Sequence, residues 1–285
     1  MLKISEVLKD TTDILQQSGI VEPRREAVSL LAFYLGKDKT FLIAHPEYEL
    51  TEEDEFSFYQ LVSDRANRTP FQYITGTQEF YGLDFEVNED VLIPRPETEI
   101  IVENAIEILQ KIENPNFCEV GTGSGCISVS ILHNVPKANA IGLDISSNAL
   151  GITRKNAGNY NLLNRLELRK SDVFSALSQT KFDLIVSNPP YIPSEDIAHL
   201  QAEVRDFEPL NALTDGKNGL TIIEKIINQS PEFLHPNGFL LMEIGFNQSE
   251  DVQKMFSDEI WQSVEILPDL QGIPRTVKAK VKGKR

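Results

Sequence analysis

The 285-residue chain is 41% hydrophobic and 25% charged, an ordinary globular composition that excludes a collagen-like repeat, wholesale disorder and a long coiled coil. Its length fits one large or two modest domains, and no run approaches the roughly 18 uninterrupted apolar residues of a membrane-spanning helix. A formal net charge of −16 argues against a protein that grips a phosphate backbone, so no direct binding to nucleic acid is expected.

The chain order predicts a helical domain first, over residues 1–75. Ile4, Val7, Leu8, Thr11, Ile14 and Leu15 recur at helical spacing and stop at Gly19. A second helix opens at Pro23, carries Ala27, Leu30, Leu31, Tyr34 and Leu35, and ends at Gly36. A short third one covers residues 40–44. Thr51 and Asp54 read as a capping box, with Glu52, Glu53 and Glu55 at the positive end of a helix running to about Arg68. Charged side chains at Lys3, Glu6, Lys9, Asp10 and Asp13 do not resemble a secretion signal. The two cysteines, Cys118 and Cys126, lack a stapling pattern, so the cytoplasm is the expected compartment.

From Phe71 the texture turns β-prone, with runs at 79–83 and 84–87 broken by Gly76 and Gly82, and residues 76–95 read as a hairpin linker. Pro96 then starts a helix carrying Ile100, Ile101, Ala105, Ile108 and Leu109. Strands at 117–120, 140–145, 166–168, 182–187 and 238–244 alternate with helices at 124–133, 148–159, 218–233 and 248–256. A short helix is expected after Leu168, an irregular loop after Ser187, and two last strands at 264–267 and 276–281. This alternation predicts an α/β domain over 96–285, an open and mostly parallel sheet with helices on both faces. Ligands of such sheets sit at the carboxyl ends of strands near the switch point. Residues 275–285 hold six basic and no acidic side chains and read as a solvated, fraying terminus with Lys on a sheet edge, or as a contact to an acidic surface or RNA.

Two motifs carry chemistry. Gly121-Thr122-Gly123-Ser124-Gly125 follows the strand at 117–120, and Asp144 stands nineteen residues beyond the last glycine, at the end of the next strand. Glycines let the backbone turn tightly and a ligand approach it, while the acid accepts ribose hydroxyls. Cys126 occupies the place of the third glycine of a dinucleotide fingerprint, so the pattern favours S-adenosylmethionine over NAD. A plain strand-to-helix turn is the alternative. The second motif, Asn188-Pro189-Pro190-Tyr191, ends the strand at 182–187. Prolines donate no backbone hydrogen bond and stiffen the loop, so the Pro189 carbonyl and the Asn188 side-chain oxygen become two acceptors that match one NH2 group. Tyr191 offers a flat face for stacking a planar amide or base. A strand-ending turn is the competing explanation.

Together with the sequence VLIPRPETE at residues 91–99 and SNPPYI at 187–192, these motifs resemble the release factor glutamine methyltransferases of the HemK/PrmC family, and the likeness covers nearly the whole chain. The resemblance implies a Rossmann-like S-adenosylmethionine-dependent methyltransferase domain, preceded by a helical substrate-recognition domain, and N5-methylation of the glutamine in the GGQ motif of class-1 peptide chain release factors. It implies that Gly121 to Gly125 line the methionine and nucleoside part of the cofactor, that Asp144 binds ribose, that Asp172 and Val173 lie by the adenine, and that Asn188, Pro189, Pro190 and Tyr191 hold the glutamine. Asn188 and Pro189 are the expected catalytic pair, and Asn188 also borders the cofactor.

This chain departs from the family pattern at two places, and the role of a third segment is open. Glu119 stands where members often carry Asp; it either contacts the loop or the methionine amine or is a structural variant. Val173 stands where members often have an aromatic ring. The PRPETE segment either walls the cofactor pocket or simply starts a helix. No metal is expected, since His45, His133, His199 and His235 lack ligand or triad spacing. The rival activity is methylation of adenine N6 or another exocyclic amine in DNA or RNA, because the same tetrapeptide serves a flipped base. A binding module that kept the loop without catalysis is a third possibility.

Overall fold

The computed structural model describes residues 1–283, and the chain divides into two compact units. The smaller unit comprises Met1–Thr77 together with Gln201–Phe207. In α1 (Ile4–Gln17) the residues at helical spacing, Ile4, Val7, Thr11 and Leu15, are buried. They meet Leu30 and Leu31 of α2 (Pro23–Leu35), Leu42 of α3 (Lys39–Ala44) and Phe58 and Val62 of α4 (Glu52–Ala66) in one core. The capping box of α4 is formed as the spacing predicts: the Asp54 amide donates to Thr51 Oγ1 at 3.1 Å and the Thr51 amide donates to Asp54 Oδ2 at 3.1 Å. The stretch after Pro70, expected to begin the β-prone texture, is instead a single helical turn, α5 (Phe71–Thr75), stopped by Gly76. Segment 201–207 joins this unit through charge. Arg65 is buried, and its guanidinium donates to Glu26 and to Glu203, which Arg68 also holds at 3.1 Å.

The larger unit holds Gln78–Leu200 and Glu208 onward. Strands β1 (Thr77–Phe80) and β2 (Leu83–Glu86) form a hairpin, so this hairpin falls with the larger unit. Its turn places both Tyr81 and Gly82 at left-handed φ, the conformation that matches the twist of two-residue hairpins. A 3₁₀ turn at Pro96–Thr98 leads into α6 (Glu99–Leu109).

The sheet then follows: β3 (Asn116–Val120), α7 (Cys126–Asn134), β4 (Asn139–Asp144), α8 (Ser147–Asn159), β5 (Leu166–Lys170) and β6 (Phe182–Ser187). After β6 the chain is less irregular than expected, with two short helices, α9 (Ala202–Phe207) and α10 (Leu210–Leu213), before α11 (Thr221–Gln229). It closes with β7 (Leu234–Glu243), α12 (Ser249–Lys254), β8 (Trp261–Pro268) and β9 (Pro274–Val281). The sheet order is β5-β4-β3-β6-β7-β9-β8, parallel from β5 to β7 and antiparallel at β9 and β8. The α/β architecture with a mostly parallel sheet is the predicted one.

Side chains alternate between the two faces. Phe117, Leu184, Val186 and Leu241 enter the core beneath α6 and α7, while Cys118, Ile185, Leu240 and Met242 enter the core beneath α11. At roughly 25 cal/mol per Å2 of apolar surface removed from water, these two cores are the main stabilising term of the unit.

Two expectations are corrected. The segment after β5 is a series of turns rather than a short helix, because Ser171 Oγ donates to the Val173 carbonyl and accepts the Ala176 amide, which satisfies locally the groups a helix would have used. The basic tail is not a fraying edge. Residues 274–281 form β9, an interior strand between β7 and β8, with Val277 and Ala279 fully buried; residues 284–285 lie outside the described part. Lys278 reaches Asn104 Oδ1 at 3.2 Å and Lys280 lies 5.5 Å from the centre of the Phe239 ring, so long stems carry the charges away from the sheet. Among the described residues no helix is long and apolar enough to cross a membrane.

Candidate active site

The strand order reverses between β3 and β6, and the pairing register brings their two loops side by side. Val120 pairs with Leu143 on one side and Ser187 on the other, and Ser187 pairs with Met242. The next residue on each strand end is therefore Asp144 on β4, Gly121 after β3, Asn188 after β6 and Glu243 on β7. The sheet has placed the two motifs in one row at its carboxyl edge, the switch point where open sheets bind ligands.

The glycine loop owes its path to backbone freedom. Gly121, Gly123 and Gly125 all have positive φ, and a side chain at Gly125 would press within 2.7 Å of the Thr153 methyl. The loop is pinned to β4: the Gly121 amide donates to the Leu143 carbonyl at 2.8 Å and the Gly123 amide to Asp144 Oδ2 at 2.9 Å. Asp144 Oδ1 accepts the Ser146 amide at 2.8 Å. Each carboxylate oxygen keeps a lone pair for a ligand hydroxyl. Asp144 is nearly buried, and desolvation raises its pKa against the lowering effect of those backbone bonds.

A cavity of about 300 Å3 opens above this row. Gly121, Thr122, Gly123, Ser124, Asp144, Asp172, Val173, Asn188 and Pro190 all line it, together with Thr98 and Arg95 of the PRPETE segment and with Glu119. Three of the expected site residues lie outside its wall. Gly125 turns into α7, Pro189 is buried, and Tyr191 lines an adjoining crevice, its hydroxyl donating to Glu243 Oε1 at 3.0 Å. Asp172 is paired with Lys225 at 2.8 Å, and Val173 holds a φ of 51°, a strained conformation for a β-branched residue. Arg95 is bound to Glu208 at 2.5 Å.

The wall is acidic. Besides Glu119, four carboxyl groups, Asp90, Asp144, Asp172 and Asp215, line it with one guanidinium, Arg95, so the cavity favours a cationic ligand and disfavours a pyrophosphate. Glu119 is fully enclosed, with its Oε2 accepting both the amide of Ser128 at 3.1 Å and the Ser128 hydroxyl. Alternation along β3 turns it to the face of Phe117, toward α7. Burial pushes its pKa from 4.5 up to about 8, against the pull of those two donors, and the Asp144 charge adds to the rise.

A raised carboxyl pKa means that the folded chain holds this proton more tightly than the unfolded chain. The resulting stabilisation is fully present below pH 4.5 and is lost as pH rises through about 8. Glu119→Gln is expected to flatten that decline when melting temperature is followed across this range; an unchanged slope would contradict the assignment.

Sequence reasoning did not find Glu243. This carboxylate ends β7 in the run Phe239-Leu240-Leu241-Met242-Glu243, is 1% exposed, and accepts the Thr98 hydroxyl at 2.6 Å on Oε2. Thr98 Oγ1 in turn accepts the Asn188 side-chain amide at 3.1 Å. A lone acid closing an otherwise apolar strand, at the carboxyl edge of the sheet, was the available signal.

Known proteins are similar to this chain over most of its length. Residues 6–76 match the PrmC N-terminal domain and residues 99–203 the methyltransferase small domain. The release factor glutamine methyltransferase of Koribacter versatilis is 40% identical over 264 residues, covering 92% of this chain and 93% of that protein. The protein of the same name from Geobacter sulfurreducens is 39% identical, covering 98% and 96%. In fold alone, a crystal structure of a methyltransferase from Pyrococcus furiosus superimposes with a TM-score of 0.54 at 18% identity, over 78% of this chain and 100% of that one. A glycine loop and an Asn-Pro-Pro-Tyr turn on adjacent strand ends, within sequences this similar from end to end, place the chain in the release factor glutamine methyltransferase family.

Proposed function

We propose that the protein transfers a methyl group from S-adenosylmethionine to the side-chain amide nitrogen of a glutamine, the one in the GGQ motif of class-1 peptide chain release factors, in the cytoplasm. The observation that carries this reading is the shared, carboxylate-rich cavity in which Asn188 faces the glycine loop. A cation fits that wall, and a Cβ on Gly121 would lie only 3.8 Å from the Asn188 carbonyl, so the two motifs are near neighbours.

When bound, S-adenosylmethionine supplies an electrophilic methyl on a positively charged sulfur. Gly121, Thr122, Gly123 and Ser124 would hold its methionine and nucleoside part, Asp144 its ribose, and Asp172 with Val173 the adenine side. A positive ligand beside Glu119 favours its carboxylate form, so that residue would give up its proton on binding. An amide nitrogen is a poor nucleophile because its lone pair is delocalised into the carbonyl. Asn188 Oδ1 and the Pro189 carbonyl would accept its two N–H bonds, orient the nitrogen for in-line attack, and stabilise the positive charge developing on it. No strong base is needed before transfer, and the extra proton leaves to water afterwards. Pro190 and Tyr191 would wall the glutamine site.

A lone glutamine offers too few contacts to be chosen among all others, so selection needs a protein surface away from the reacting nitrogen. Residues 1–75 are the proposed recognition element, with 76–95 as the connection to the methyltransferase domain at 96–285. Asp144→Ala tests the cofactor assignment. Loss of charge-assisted bonds should weaken S-adenosylmethionine by roughly 1.5–3 kcal/mol in calorimetry, and parent-like affinity would remove Asp144 from the site.

A further inference from the structure

The Asn188 side chain ends in two different groups, an acceptor oxygen and a donor nitrogen, and only the oxygen serves a substrate that presents N–H bonds. Nothing within Asn188 decides which one faces the cavity. Its neighbours do. As a carboxylate Glu243 can only accept, and each of its oxygens takes one hydroxyl: Tyr191 at 3.0 Å on Oε1 and Thr98 at 2.6 Å on Oε2. A hydroxyl has a single proton. Having given it to Glu243, Thr98 Oγ1 has only lone pairs left for Asn188, 3.1 Å away, so the group turned toward Thr98 is the NH2 and Oδ1 is left for the cavity. A reversed amide would set two oxygens against each other with no proton between them. Such a mismatch is costly here, because Thr98 is 2% exposed and Glu243 1%. Burial raises the pKa of Glu243 above the ordinary carboxylate value, and the two hydroxyls with the nearby Arg275 guanidinium oppose that rise by favouring the carboxylate.

We infer that Thr98 and Glu243 are positioning residues that fix the polarity of the Asn188 amide and thereby make the site select a side-chain amide over a carboxylate. The inference rests on the glutamine chemistry proposed above and goes beyond it, since it names the residues that separate glutamine from glutamate. Those two side chains have the same shape and differ in presenting NH2 or an oxygen. A fixed Asn188 oxygen bonds the first and repels the second. The set is assembled from three places, the turn before α6, the end of β6 and the end of β7, so it exists only in the folded sheet.

The test compares Thr98→Val, which keeps the shape and removes the hydroxyl, with Thr98→Ser, which keeps the hydroxyl, on an intact release factor. Thr98→Val is expected to lower kcat by about tenfold, the size of one hydrogen bond of typical net strength, with S-adenosylmethionine affinity unchanged. Thr98→Ser should recover most of the rate. In an Asn188→Ala background Thr98→Val should cost nothing further, because its effect runs through Asn188. A release factor carrying glutamate in place of the GGQ glutamine should inhibit Thr98→Val more strongly than it inhibits the parent. Glu243→Gln, which can donate as well as accept, should show the same pattern and serves if Thr98→Val is unstable. Equal losses in Thr98→Val and Thr98→Ser, or losses that add to Asn188→Ala, would reduce Thr98 to packing and overturn the inference. Full activity of Thr98→Val would also overturn it while leaving the glutamine chemistry intact. A parent protein that transfers no methyl to the release factor would overturn both.

Discussion

Asn188→Ala is expected to lower methyl transfer to a release factor on the order of 10²–10³-fold in kcat, the scale seen when one preorganised polar group is removed from a reacting centre. The variant should fold like the parent, because Asn188 is only half-buried and Thr98 keeps its bond to Glu243. S-adenosylmethionine affinity should change little, since the glycine loop and Asp144 are untouched. Asn188→Asp should fall between the two. Its carboxylate retains acceptor geometry, but its charge pairs with the sulfonium in the ground state and so lowers no barrier. It also faces a Thr98 oxygen that has no proton to give. Steady-state rates at saturating S-adenosylmethionine measure the effect, and equal turnover in all three proteins would show that the side-chain oxygen does not position the substrate.

Gly219→Ala is expected to be the most damaging single methyl group in the larger unit. Gly219 has a φ of +77°, and a Cβ there would overlap the Tyr191 carbonyl oxygen and lie 2.7 Å from the carbonyl carbon. Those are backbone atoms, so the contact cannot be relieved by turning a side chain. The loop is also held in place: Asp215 accepts the amides of Lys217 at 2.8 Å, Gly219 at 2.9 Å and Thr221 at 2.8 Å, and Gln248 Nε2 donates to the Tyr191 carbonyl at 2.8 Å. Left-handed strain and overpacking together should destabilise the fold by about 2–5 kcal/mol and displace the turn that carries Asn188. Denaturant unfolding reads the first effect and the transfer rate the second. A variant as stable and as active as the parent would contradict the close packing of residues 191 and 219.

What could be read from the sequence follows the range of the interactions involved. Strand β6 and the tetrapeptide after it are local signals, an apolar run closed by two prolines, and both were legible. So was α4, whose start is written in Thr51 and Asp54. The last strand was legible at 276–281, but its interior place was not, because charge dominates the composition there while Val277, Ala279 and Val281 alternate toward the core beneath α11. Glu243 was silent because its partners, Thr98 and Tyr191, lie 145 and 52 residues away and meet it only through sheet register. Arg65 likewise reaches Glu203 across 138 residues. The two motifs that line the cavity are contiguous and readable; the groups that hold them are brought together by the fold.

If one cavity joins a methyl donor to a glutamine amide, a labelled methyl group must pass from the first to the second. Incubation of the purified chain with methyl-labelled S-adenosylmethionine and an intact release factor, in parallel with duplex DNA and ribosomal RNA, followed by mass spectrometry of the products, tests it most directly. A single methyl group on the GGQ glutamine of the release factor, none on either nucleic acid, and loss of the label with Asn188→Ala are the expected results. Label on an adenine amine, with the release factor unmodified, would contradict them.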